Sequence, residues 1–236
     1  MKKCLVLISD NKDNDFYIQA MKNLAREKKF RVAISKKYED LGDQRADFVF
    51  CFNYRRIIPE KYIRLAKNGI YVFHSSDLPD GKGWAPIYHS LISAKPDHVL
   101  TALKIDATVD GGEIIAKTYF RKRAGENADS LRSVDNLMTI ATIKKIINDL
   151  LKYKLTGQIQ PPNDNYRPKR NPEDSEITIQ QTIEQIHRQA LAVTGTHPLF
   201  YHYQGKKYLI TIRSESLDPF RPQDIRIKTF YEKHSA

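Results

Sequence analysis

Residues 46–83 read ADFVFCFNYRRIIPEKYIRLAKNGIYVFHSSDLPDGKG. Two runs dominated by apolar, β-branched and aromatic residues, 46–52 and 70–73, bracket a helical stretch at 59–67. That stretch opens at Pro59 and closes at Asn68-Gly69, the proline and glycine marks of a helix start and stop. From Phe48 on, the first run is apolar at every position, not at every second one. Strands of that kind are buried on both faces and belong to parallel sheets covered by helices. Strand, helix, strand in this order is the unit of a doubly wound α/β sheet.

The same signature extends toward the N-terminus. Residues 3–9 form a nearly continuous apolar run, 15–28 set Phe16, Ile18, Ala20, Met21, Leu24 and Ala25 at helical spacing, and 30–34 read as a further strand. Beyond residue 83 the pattern changes. Strands at 98–105 and 113–120 are separated only by the turn-rich 106–112, which predicts an antiparallel pair at one end of the sheet. A long helical period runs over 130–153, from Leu131 and Val134 to Leu150 and Leu151, and should pack on the sheet. Residues 157–172, GQIQPPNDNYRPKRNP, are rich in Pro, Asn and charge and read as a connector. A helix at 179–193 follows, then a hairpin from 199–203 and 208–212 around Gln204-Gly205, and a charged tail from 214 without a clear pattern. The expected architecture is an α/β, Rossmann-like doubly wound, mostly parallel sheet with antiparallel strands at one edge over residues 1–156. A connector at 157–175 and a small C-terminal helix and hairpin unit at 176–236 complete it.

Composition narrows the function. The 236 residues are 41% hydrophobic, enough for one sizeable core or one domain with an appendage. No apolar run approaches the ~20 residues of a membrane span, so no membrane partner is expected. The opening MKKCLVLISD imitates an export signal, but Asp10 and Lys12 stand where a small-residue cleavage site would lie. Cys4 and Cys51 are the only cysteines, both inside apolar runs, and there is no CxxC or HExxH pattern. Neither a disulfide framework nor a metal site is expected, and a reducing cytoplasm is the expected compartment. Lys and Arg total 39 against 28 acids, a net charge of +11. Such a surface favours anionic partners (nucleic acid, nucleotide diphosphates, polyglutamylated folate) and serves solubility equally well.

His74 ends a buried run and is followed by a turn-forming loop with Asp77, Pro79, Asp80, Gly81 and Gly83. In open α/β sheets ligands bind outside the carboxyl ends of the strands, so topology places His74 there. Asp110 lies in the other irregular loop, before Gly111-Gly112, whose missing Cβ atoms permit close backbone approach. A His and an Asp on loops at one edge can act as an acid–base pair. Taken singly, each is as well explained as a structural histidine and a turn residue. Gly81-Lys82-Gly83 lacks the rest of a phosphate loop.

The string His74-Ser75-Ser76-Asp77-Leu78-Pro79, the Gly-basic-Gly after it and Ala85-Pro86 resemble the signature of the folate-dependent formyltransferases. Val109-Asp110-Gly111-Gly112-Glu113-Ile114-Ile115 resembles that family's second signature, and Arg56-Ile57-Ile58-Pro59 its folate-pocket segment. Residues 166–175, YRPKRNPEDS, are similar to the region after the catalytic domain in sugar and tRNA formyltransferases. The resemblance implies N10-formyltetrahydrofolate as co-substrate and attack of an unprotonated amine on the formyl carbon. His74 would stabilise the oxyanion and help move the proton, and Asp110 would orient His74. It also implies no metal, a folate site formed by Arg56, Ile57, Ile58, Ile105 and Thr108, and a homodimer. One position departs: the family places an Asn two residues before the His, and Val72 stands there. Sugar N-formyltransferases with an F-H-x-x-D-L-P string share the departure. Asn53, Ser75, Ser76 or a backbone N–H are the candidates to replace that donor.

Of the acceptors this family serves, glycinamide ribonucleotide needs a glycine-rich loop after the first strand, and 9–15 read SDNKDND. Initiator tRNA suits the +11 charge, but tRNA formyltransferases carry a longer C-terminal domain. A nucleotide-linked amino sugar, formylated for surface polysaccharide such as O-antigen, fits the length and the connector; the alternatives are a methionyl-tRNA formyltransferase-like enzyme and a non-catalytic binding module on the same fold, with the chemistry lost at Val72. Lys82, Lys169 and Arg170 are the expected phosphate partners, and no specific nucleic acid is expected.

Overall fold

The computed structural model describes residues 1–9, 14–54, 56–163, 165–212 and 218–235. Asp10 and Lys12, most of the acid-rich loop after the first strand, and the start of the tail at 214–217 lie outside the described residues. The chain begins with β1 (Lys3–Ile8), α1 (Asn14–Lys28), β2 (Arg31–Ser35), α2 (Asp40–Gln44), β3 (Phe48–Phe52), α3 (Glu60–Ile63) and β4 (Ile70–His74). There follow β5 (Lys82–Gly83), α4 (Pro86–Ile92), β6 (Asp97–Lys104), β7 (Glu113–Arg121), α5 (Ala128–Leu150), β8 (Tyr153–Thr156) and β9 (Tyr166–Arg167). The chain closes with α6 (Ile183–Ala192), β10 (Leu199–Tyr203), β11 (Lys206–Ile210), β12 (Ile225–Thr229) and β13 (Glu232–Ser235).

A seven-stranded sheet runs in the order β12-β7-β6-β4-β3-β1-β2. The pairings among β2, β1, β3 and β4 are parallel, and β6, β7 and β12 join antiparallel at the other side. This is the mixed α/β sheet the sequence predicts. The reason is visible in β1 and β3. Cys4, Val6, Ile8, Phe48, Phe50 and Phe52 enter one core with α1 and α5, while Leu5, Leu7, Val49 and Cys51 enter another with Leu41 of α2, Ala66 and Ile70. Alternation survives, but both faces are apolar because both are covered. Phe48 and Phe50 are fully buried, each contributing about 1.5–3 kcal/mol of burial. Across the sheet, α5 starts at a capping box of Asn127 and Ser130 and packs Ile143, Ile146, Ile147 and Leu150 on the strands. No helix among the described residues is long and apolar enough to cross a membrane.

Several elements differ from the expectations. The helix expected at 59–67 is a single short turn, Glu60–Ile63, continued by turns to Gly69. The short α2 carries no strong periodic signal. The stretch expected as a bare connector is docked: β9 pairs in parallel with β5. The tail does not stay with the hairpin. β12 pairs with β7 and β13 with β8, so residues 225–235 belong to the first domain's strands, not to a separate unit spanning 176–236. The alternation Ile225-Arg226-Ile227-Lys228 suits an edge strand, and its pairing covers the backbone edge that β7 would otherwise expose.

Candidate active site

Three parallel strands, β1, β3 and β4, end side by side, and His74 is the last residue of β4. Its ring is buried and its Nε2 lies 2.9 Å from the carbonyl of Gly81. A carbonyl only accepts, so Nε2 carries a proton and donates. Nδ1 then faces Oδ2 of Asp110 at 3.7 Å. When the ring is doubly protonated, that side presents an N–H to the carboxylate. The distance exceeds a hydrogen bond, as catalytic pairs often do before substrate closes them up.

The loop after His74 is held from three sides. Thr101 on β6 donates to the Ser76 carbonyl at 2.6 Å, and the Ser76 hydroxyl donates to the Asp80 carbonyl at 2.9 Å. Lys117 on β7 pairs with Asp77. Ser75 donates to Oδ2 of Asp135 on α5 at 2.9 Å. Oδ1 of Asp135 accepts from Nε2 of the fully buried His98 at 2.8 Å, and His98 Nδ1 meets the Ser90 hydroxyl at 2.9 Å. A buried carboxylate with partners on both oxygens is a rigid anchor for the segment beside His74.

Asp110 sits in the left-handed region at φ 51°, a conformation Asp tolerates better than most residues. Its Oδ2 accepts the N–H of Gly83 at 3.0 Å. Gln160, from the docked connector, donates to the carbonyls of Asp110 and Gly112 at 2.8 Å each. A Cβ on Gly112 would stand 2.1 Å from the Lys104 carbonyl, and one on Gly83 2.4 Å from the Arg167 carbonyl. The backbone at both places has no room for a side chain, which is what brings Asp110 up to His74.

Two clefts, each of about 360 Å³, meet at His74. The first is lined by Asn53, Tyr54, Arg56, Ile57, Ile58 and Val72, then by Ile105 to Asp110. All the residues expected to form a folate site (Arg56, Ile57, Ile58, Ile105 and Thr108) face it. Ile57 is 79% exposed and Val109 55% exposed on its rim, apolar surface that a flat ring system would cover. The Arg56 guanidinium is turned away to Glu39 at 2.8 Å and over the Tyr38 ring, and that ion pair holds the Glu39 carboxyl below its usual range. Cys51 lines both clefts, but burial pushes its thiol well up, so it is no thiolate nucleophile. No group of three or more His, Cys, Asp or Glu suited to a metal ion occurs among the described residues.

The second cleft is built from scattered elements: Tyr17 of α1, Asn53, His74 and Ser75, Tyr88 of α4, Arg132 of α5, and Arg170. Of the residues expected to hold a phosphate, Arg170 lines it, stacked on the Tyr88 ring at 3.6 Å and bonded to Ser175 at 2.7 Å. Lys82 and Lys169 line neither cleft, and Lys169 lies over Trp84 instead. Ser76 faces a third, adjoining cleft with His89 and Arg167. Burial holds His89 at about 4, with the charges of Arg167 and Arg170 adding to the effect. Arg132 is the residue that reading the sequence missed. On α5, Arg132, Asp135, Asn136 and Thr139 form a polar stripe at helical spacing that lines the second cleft.

The sequence profile described as "Formyl transferase" matches residues 2–137. A methionyl-tRNA formyltransferase of Pelagibacter ubique is 24% identical over 176 residues, 74% of this chain and 57% of that protein, so the chain spans little more than half its relative's length. Among solved structures, a methionyl-tRNA formyltransferase from Clostridium thermocellum superposes with a TM-score of 0.70 at 18% identity, covering 100% of both chains. An N-formyltransferase from Helicobacter canadensis, in complex with folinic acid and dTDP-3-aminofucose, gives 0.69 at 17% identity, covering 87% of this chain and 85% of that one. At these identities the structural likeness carries the fold.

Proposed function

The chain belongs to the formyl transferase family, and on that premise we propose that it moves a formyl group from N10-formyltetrahydrofolate to the amine of a nucleotide-linked amino sugar. The observation that carries the reading is the His74–Asp110 pair at the junction of two clefts. The first cleft suits the folate: an apolar floor and rim, and loop backbone at 105–110 to meet the polar edge of a pteridine. The folate supplies the formyl carbon. The amine nitrogen bonds to that carbon as the carbon's bond to N10 breaks, and one amine proton ends on N10. His74 holds a proton at Nε2 and can hold a second at Nδ1 against Asp110. The charged ring lowers the energy of the oxygen on which negative charge develops. Asp110, fixed by Gly83, keeps the ring oriented.

The second cleft supports an acceptor with an anionic handle. Arg132 makes no side-chain hydrogen bond or ion pair among the described residues, and Arg170 is partly committed. Guanidinium groups suit phosphate oxygens. The complex of the Helicobacter canadensis protein with a folate and a nucleotide-linked amino sugar supports the same assignment. Two observations favour a second reading: the curated relative is a methionyl-tRNA formyltransferase, and the solved methionyl-tRNA formyltransferase from Clostridium thermocellum is matched over 100% of its chain, so the expected length difference does not separate the two acceptors. The experiment is a competition of acceptors. Nucleotide-linked amino sugars, the free amino sugars and charged initiator tRNA are each incubated with the protein and N10-formyltetrahydrofolate. Formylated nucleotide sugar, with an equal amount of tetrahydrofolate, is the expected outcome. Formylated tRNA with untouched sugars overturns the sugar reading. Binding of tRNA alone does not, since +11 net charge predicts weak, salt-sensitive binding.

A further inference from the structure

We infer that the side-chain amide of Asn53 is the hydrogen-bond donor to the formyl oxygen in this protein; the inference rests on the formyl-transfer reading of the site. Charge that develops on that oxygen needs a donor already aimed at it. In this family's pattern an Asn would stand at position 72. Val72 has no donor, and it packs instead into the apolar clusters on both sides of β4. The hydroxyl and imidazole donors beside His74 are engaged elsewhere. The Ser75 hydroxyl donates to Asp135, the Ser76 hydroxyl to the Asp80 carbonyl, and His74 Nε2 to the Gly81 carbonyl.

Asn53 differs from all of these. Its Nδ2 is buried and has no hydrogen-bond partner among the described residues, although a donor left unsatisfied away from water is disfavoured. An unpaired buried donor in a native fold calls for a partner, and a group bound in the cleft can supply it. Asn53 lines both clefts together with His74, so the residue stands at the junction where the formyl group must pass from one side to the other, and a turn about its soft terminal torsion brings the amide donor to face it. The backbone contributes to the placement. Asn53 follows β3 directly and adopts φ 50°, a left-handed conformation that turns the chain off the strand and that Asn tolerates. Cys51 is the register partner of Val72, so Asn53, two residues further along, stands just past the end of the strand beside the position where an Asn is missing. The donor has moved to the neighbouring strand end.

The test is Asn53→Gly, which keeps the left-handed backbone and deletes the amide, beside Asn53→Asp, which keeps the shape and removes the donor. Thermal melting and binding of folinic acid establish that each variant is folded and holds folate. The expected result is a fall in kcat of about 100-fold in both, with KM for both substrates within about twofold. In the double variant Val72→Asn/Asn53→Gly, kcat is expected to recover by about tenfold or more, because a donor returns on the adjacent strand. A kcat for folded Asn53→Gly within about twofold of the wild type overturns the assignment while leaving formyl transfer intact. A wild type that transfers formyl to no amine overturns the reading of the site and this assignment with it.

Discussion

The two clefts that meet at His74 are of similar size, yet they are made differently. The folate-side cleft is drawn from two short loops, after β3 and between β6 and β7, with β4 between them. Its walls combine apolar side chains and backbone with polar groups paired locally, Arg56 to Glu39 and Asp106 to Thr108. The acceptor-side cleft takes side chains from α1, α4, α5 and the segment before α6, and its distinguishing groups are Arg132, Arg170 and the His98-anchored Asp135. The first joins the carboxyl ends of the parallel β3 and β4 to the 105–110 loop, which leaves the antiparallel β6 beside the amino end of β4 and comes back to His74 at Asp110. The second must be assembled by the packing of helices. One side is therefore set by loops at strand ends and the other by the packing of helices, and the second carries the guanidinium of Arg132, unpaired among the described residues.

Substitutions can break this contrast. Beyond His74 itself, Asp110→Asn should have the largest effect. Asn still accepts from Gly83 but lacks the charge facing Nδ1, so kcat should fall about 100-fold with the melting temperature shifted by less than about 2 °C. A large stability loss with intact turnover would mark Asp110 as a turn residue. Next, Arg132→Ala should raise KM for the acceptor about 10-fold, the size of a lost hydrogen bond to a charged group, and leave KM for folate unchanged. Arg170→Ala should do less, and Lys82→Ala and Lys169→Ala should stay within about twofold. A third substitution probes the other side: Ile57→Ala should weaken folate binding by about 3- to 10-fold through lost apolar contact, with acceptor KM and melting temperature unmoved. An Arg132 variant that harms folate binding, or an Ile57 variant that harms the acceptor, would mean the clefts are assigned the wrong way round.

The smallest effect concerns pH. His89 is held at about 4 by burial, below the ordinary 6.5. The unfolded chain takes up this proton first, so the neutral ring's contribution is full above about pH 6.5 and is lost as pH falls toward 4. The melting temperature of wild type should therefore fall more between pH 7 and pH 5 than that of His89→Gln. Equal slopes would show that another group dominates.

The sheet was legible because β1, β3 and β4 are apolar at consecutive positions, a pattern only a two-sided core explains. His74 and Asp110 were legible through their place at strand ends and in a loop ahead of paired glycines. What escaped has a common cause. Arg132 lies 58 residues from His74 in the chain, as their numbers show, and joins it only through the packing of α5. The tail's return as β12 depends on an open edge that exists only once β7 is in the sheet. The docking of the connector rests on Gln160 and on the β5–β9 pair, whose bonds are to backbone and leave no mark in composition. Local pattern shows what a segment is, whereas contacts between distant segments show only after folding.

The most direct measurement follows a ¹³C-labelled formyl group through a single turnover, with protein in excess over N10-formyltetrahydrofolate and a nucleotide-linked amino sugar present. In the wild type the label should move from folate nitrogen to sugar nitrogen. In His74→Asn it should stay on the folate, with transfer slowed about 100-fold or more, while both substrates bind as before. Transfer at the wild-type rate in His74→Asn would contradict the placing of the chemistry at the junction of the two clefts.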